Sequence, residues 1–139
     1  MKKINSLFII LIISTSAYCQ NVKSNSENMN KIKKIQIESV DFSTMTFLSV
    51  ECSEFEKYFK EYRTISITNL KIINEFLRYF GKLEPIDSTY SKAVDTRAKV
   101  KLFTEADTSI ICIGNLTLHM NENIYKTPQE LIDFIENLE

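Results

Sequence analysis

The chain has no tryptophan, one histidine, two glycines, two prolines and three cysteines among its 139 residues. Each scarcity closes off a class of chemistry. Phosphate-cradling loops need clustered glycines, and Gly81 and Gly114 stand far apart, with no Gly-x-Gly-x-x-Gly or P-loop spacing anywhere. A structural zinc site takes four Cys or His ligands. This chain offers His119 and three cysteines, one of which lies in an N-terminal leader. No apolar run approaches the roughly 20 residues that span a bilayer as a helix; the unbroken run Leu7–Ile13 is far shorter. Charge is balanced, with 17 Lys and Arg against 18 Asp and Glu. A nucleic-acid binder would need a basic surface, so nucleic acid is not expected as a partner, and no cofactor is expected.

What is present begins with residues 1–19. Lys2 and Lys3 precede the apolar run, and the small polar residues Ser14-Thr15-Ser16-Ala17 follow it. That order is the pattern of a secretory signal peptide, and the segment, ending just before a Gln, resembles the leaders of exported proteins from Bacteroidota. Two processing routes fit. Cleavage before Gln20 discards Cys19; lipidation keeps Cys19 as the first residue and anchors the protein to a membrane. Tyr18 directly before the cysteine favours the first. The expected location is periplasmic or extracellular, with a membrane-anchored lipoprotein as the alternative. Losing the leader's two lysines leaves a net charge of about −3. Residues 20–33 are polar and aperiodic and read as a flexible tail.

One domain is expected over 34–139. "KIQIESV" alternates as a half-buried strand, and "STMTFLSVEC" alternates in turn, as a continuation or the second arm of a hairpin around Asp41–Ser43. "SEFEKYFKEY" changes to helical period, with Phe55, Tyr58, Phe59 and Tyr62 on one stripe and Ser53 and Glu56 at capping-box spacing. "TISIT" reads as a short strand. "NLKIINEFLRYFG" reads as a helix capped by Thr68 or Asn69, striped by Leu70, Ile73, Leu77 and Phe80, and closed by a left-handed Gly81. Residues 82–94 read as a connection containing Pro85.

"TRAKVKLF" sets Ala98, Val100 and Leu102 against Arg97, Lys99 and Lys101. "SIICIG" has the continuous apolarity of a central strand. Gly114-Asn115 supplies a turn, "LTLHM" alternates, Asn121–Asn123 turns again, and "IYK" pairs back. Thr127-Pro128-Gln129-Glu130 marks a last helix, striped by Leu131, Phe134, Ile135 and Leu138. The predicted class is α+β: one antiparallel sheet of about 4–6 strands with three helices packed mainly on one face.

Four features are candidates for function. Cys52 and Cys112 are the thiols left to an exported chain, where disulfides persist; they are a bridge, two buried thiols, or a reactive Cys52 at a helix start. His119 reads as solvent-facing, and would serve as a base only if folding brought a cysteine to it. Arg97, Lys99 and Lys101 form a basic row, either a docking strip for an anionic partner or a solvated face answered by carboxylates such as Glu105. Asn115-Leu116-Thr117 matches a glycosylation sequon, which carries little in a chain whose leader resembles bacterial ones. The leading expectation is a small exported, non-enzymatic domain that binds a protein or envelope component. An enzyme inhibitor or immunity-type protein comes second, and a small thiol or carboxylate hydrolase third. Sequence leaves the oligomeric state open.

Overall fold

Strands β1 (Lys34–Ser39), β2 (Arg63–Ile67), β3 (Thr96–Phe103), β4 (Thr108–Gly114), β5 (Thr117–Met120) and β6 (Asn123–Lys126) form one antiparallel sheet in the computed structural model of the chain. Their order across the sheet is β2-β1-β3-β4-β5-β6. Three helices complete a single α+β domain: α1 (Phe55–Tyr58), preceded by a 3-10 turn at Cys52–Glu54, α2 (Leu70–Phe80) and α3 (Gln129–Glu136). The described residues are 31–87 and 94–139. The leader with Cys19, most of the 20–33 tail and the middle of the 82–94 connection lie outside them.

The register explains the alternation. Ile35 and Ile37 stand opposite Ile67 and Ile65 on β2 and opposite Leu102 and Val100 on β3. Val100 and Ala98 face Ile111 and Ile113 on β4, and Ile113 faces Leu118 on β5. Successive strand side chains point to opposite faces, so these residues share one face, and all but Ile65 are buried. Helices α2 and α3 bring Ile73, Phe76, Phe80, Leu131, Ile132 and Ile135 into the same core, and the rings of Phe76 and Phe134 join them at 6.0 Å. Arg63 on β2 donates to the carbonyls of Ile135 (2.6 Å), Glu136 (3.3 Å) and Leu138 (2.9 Å), a cation on the negative end of α3.

The opposite face carries Gln36, Glu38, Lys99, Lys101, Cys112 and His119. At Arg97, Lys99 and Cys112 it is covered by the long excursion between β1 and β2, residues 40–62. This excursion has its own small core of Val50, Phe55 and Phe59, with Val40 packed against it, and the Phe55 and Phe59 rings lie 5.1 Å apart.

Several local expectations hold in the structure. Asn69 caps α2, its side chain accepting from the Lys71 and Ile72 amides. The β5–β6 turn places Asn121 and Glu122 at φ 50° and 64°, the positive values a tight two-residue hairpin requires. Gly114 is required by close approach, since a Cβ there would meet the Asp95 carbonyl oxygen at 2.5 Å.

Others are corrected. Residues 43–52 form no strand, because both edges of β1 are already taken by β2 and β3. The Ser53–Glu56 capping box does not form; the Glu56 carboxylate turns to Lys99 instead. Helix α1 stops at Tyr58 as Phe59 turns extended, so Phe55 and Phe59 are buried while Tyr58 and Tyr62 are exposed. Leu70 is exposed, and Phe76 takes its place in the buried stripe of α2. Gly81 is right-handed at φ −71°. Pro128, not Thr127, occupies the cap of α3, and the Thr127 hydroxyl is buried without a partner.

Candidate functional site

Arg97, Lys99 and Lys101 do share a face of β3, but each is engaged within the protein. Arg97 is 4% exposed. Its two terminal nitrogens grip the Asp95 carboxylate at 2.7 and 2.8 Å, the forked geometry that only a guanidinium makes. The remaining donors reach the Thr96 carbonyl (3.1 Å), the Thr44 carbonyl (3.0 Å) and the Thr46 hydroxyl (3.0 Å). All five guanidinium N–H groups are therefore satisfied. Lys99 meets Glu56 at 2.7 Å and Lys101 meets Glu38 at 2.6 Å. Burial pushes the Glu56 carboxyl up, but the hydrogen bond and charge of Lys99, aided by Lys101, outweigh it and hold Glu56 below the usual carboxylate range. Glu105, the carboxylate expected beside the row, pairs with Lys33.

What Arg97 grips is the loop at the end of the sheet. This loop is fixed at many points. Asp41 accepts from the Ser43 amide and hydroxyl, which holds its carboxyl below the ordinary range. The Thr44 amide donates to the Asp41 carbonyl, and the Thr96 amide to the Val50 carbonyl. The Val50 amide donates to Asp95 at 2.9 Å, and Asn115 donates to the Phe42 carbonyl at 2.8 Å. Thr46, between two apolar residues, is the side chain turned inward. Met45, Phe47 and Leu48 are turned out, at 95%, 104% and 75% exposure. Leu116, on the β4–β5 turn beside Asn115, is exposed at the same end. Scattered apolar residues are normal on a surface. Three on one short loop, tied at Thr44 and Val50 on either side and by the Thr46 hydroxyl between them, form a patch.

Cys52 and Cys112 are joined in a disulfide, with Cα atoms 5.7 Å apart. It staples the 3-10 turn of the excursion to β4. His119 is the cross-strand partner of Cys112, so folding does bring a cysteine and the histidine together, with the sulfur already bonded to Cys52. His119 also borders a cleft of ≈ 500 Å³ with Pro85, Ile86, Asp87 and Glu122. Among the described residues no three His, Cys, Asp or Glu side chains form a group able to hold a metal ion. Among the same residues no helix is long and apolar enough to cross a membrane.

A larger cleft of ≈ 890 Å³ lies beside the loop, walled by Phe59 and Tyr62 and lined by Asp41, Glu61, Arg63 and Glu136. Neither this cleft nor the outward set of Met45, Phe47 and Leu48 was legible in sequence. The local alternation of 45–47 is real, with Thr46 inward, but it reads as a strand until the occupied edges of β1 are known. The fold and site define a disulfide-stapled antiparallel α+β domain with a fixed apolar loop at one end of its sheet. No family model, curated protein or solved structure matches the chain.

Proposed function

We propose that this chain is a small exported, non-enzymatic domain that binds a protein or envelope component through the loop Met45–Leu48. The observation that carries this reading is the contrast on that loop: apolar side chains in solvent on a segment anchored at Thr44, Thr46 and Val50. Exposed apolar groups tend to collapse onto their own protein unless the chain prevents it, because about 25 cal/mol is gained for each Å² removed from water. A loop held out in its bound shape loses less entropy on docking. In this reading Arg97, Lys99 and Lys101 support the surface without touching the partner, Arg97 by holding Thr44 and Thr46, the lysines by holding Glu56 and Glu38. The leader supports export, and the disulfide is the kind of staple that persists outside the cytosol.

The test is retention of envelope components on immobilised mature protein. Met45→Ser/Phe47→Ser/Leu48→Ser is expected to lose every component that wild type retains specifically. Equal retention on both proteins would overturn the assignment.

The same loop favours the enzyme-inhibitor reading second, because a fixed, protruding Phe47 suits insertion into an enzyme's apolar specificity pocket. Titration against endopeptidases of apolar specificity separates the two: stoichiometric inhibition supports it, and simple cleavage at the loop opposes it.

A further inference from the structure

The surroundings of the loop carry an inference about its partner, which rests on the binding reading above. The stretch 40–56 contains Asp41, Glu51, Glu54 and Glu56 and no Lys or Arg. Glu54 and Glu56 are paired with Lys57 and Lys99. Among the described residues Asp41, Glu51, Glu61 and Glu136 form no ion pair. Three of these four line the ≈ 890 Å³ cleft that begins at Ser43 and Thr44, beside the exposed Met45. The one cation lining it, Arg63, is engaged by the last carbonyls of α3. The apolar patch thus has a border of three carboxylates against the one guanidinium of Arg63, which leaves it net negative.

We infer that the partner is a protein surface with an apolar pocket for Phe47, flanked by Met45 and Leu48, and a lysine- or arginine-bearing rim that meets the Asp41, Glu61 and Glu136 border. Charge complementarity selects this occupant over the two others an apolar patch could take. A second copy docked about a two-fold axis through the loop would bring two net-negative borders into one interface. An anionic bilayer would repel them, since membrane-surface binding draws on basic residues around the apolar ones. Rim charges act on association rate and salt dependence, while the apolar anchor sets how long the complex lasts.

The experiment places photoreactive benzoylphenylalanine at position 47 of the full chain in its native envelope, with Lys71 on the exposed side of α2 as the control position. The crosslinked protein is then purified and its Kd measured against salt. Support is a crosslink to another protein whose affinity falls about 30-fold or more with Phe47→Ala and falls as salt rises. Asp41→Asn/Glu61→Gln should weaken that complex and flatten its salt dependence. A protein crosslink whose affinity ignores both salt and the carboxylate variant overturns the basic rim but leaves the binding reading standing. Crosslinks to lipid, confirmed by flotation with phosphatidylglycerol vesicles, or to a second copy overturn the inference in favour of those occupants. No crosslink above the position-71 control overturns both the inference and the reading beneath it.

Discussion

Replacing Arg97 tests how the loop is held. Arg97→Met keeps an aliphatic stem and removes the guanidinium, which lies over the Phe59 ring at 6.0 Å. Breaking a buried ion pair by deleting one partner costs about 3–5 kcal/mol, because the other charge is left uncompensated. Asp95 retains 44% of its side-chain exposure, so water recovers part of that loss. Its bond to the Val50 amide also survives. The expected net loss is therefore about 2–3 kcal/mol in urea unfolding, or a fall of roughly 10 °C in Tm. Thr44 and Thr46 lose their partners, so the loop should open without global unfolding, and chymotrypsin should cut after Phe47 faster in native buffer. Arg97→Lys should behave nearly the same, since an ammonium cannot fork across Asp95 while reaching two threonines. A loss below about 1 kcal/mol, with Phe47 cut no faster than in wild type, would refute this account of the loop.

Three other outcomes follow from the same structure. Cys52→Ser/Cys112→Ser removes a staple closing a loop of 60 residues in sequence separation; chain entropy puts the loss at about 4 kcal/mol, to be read by urea unfolding with and without a dithiol reductant. Glu56 has a lowered carboxyl value in the folded protein. The unfolded chain therefore binds more protons in acid, so the stability this group contributes is fully present above the ordinary carboxylate range and is lost as pH falls through the folded value. Glu56→Gln should lower stability at neutral pH and flatten this acid-side loss, which unfolding curves from pH 7 to pH 3 would show. Gly114→Ala sets a methyl against the Asp95 carbonyl and should cost about 1–3 kcal/mol, whereas Asn115→Ala should only release the Phe42 carbonyl; thermal melts of the two distinguish steric from hydrogen-bond effects.

The sheet was legible because its strands state their own burial. Ala98, Val100 and Leu102 alternate with Arg97, Lys99 and Lys101, and β3 is read from that alone. The unbroken Ile110–Ile113 run marks β4 as central, as it is between β3 and β5. The excursion between β1 and β2 was not legible, because its structure is set by long-range partners. Glu56 forgoes a cap for Lys99, forty-three positions away. Thr44 and Thr46 are ordered by Arg97, more than fifty positions away. Local spacing offered a strand and a capped helix there, and tertiary bonds displaced both. The same cause moved the candidate site. A basic row on a strand looks exposed until the segment that covers it is seen, and an apolar loop looks like core until the anchors at its ends and at Thr46 are seen. The Cys52–Cys112 bridge was one of three open readings for want of a distance, and the 5.7 Å Cα separation supplies it.

The central claim is that Met45–Leu48 is held in its docking shape before any partner arrives. Backbone ¹⁵N relaxation of the free protein over residues 44–50 tests this most directly. The account predicts order parameters near the rigid-backbone value of about 0.85 at Thr44, Thr46 and Val50, with Phe47 close behind. Values below about 0.6 across the loop would mean a flexible segment, and the fixed docking loop would be contradicted.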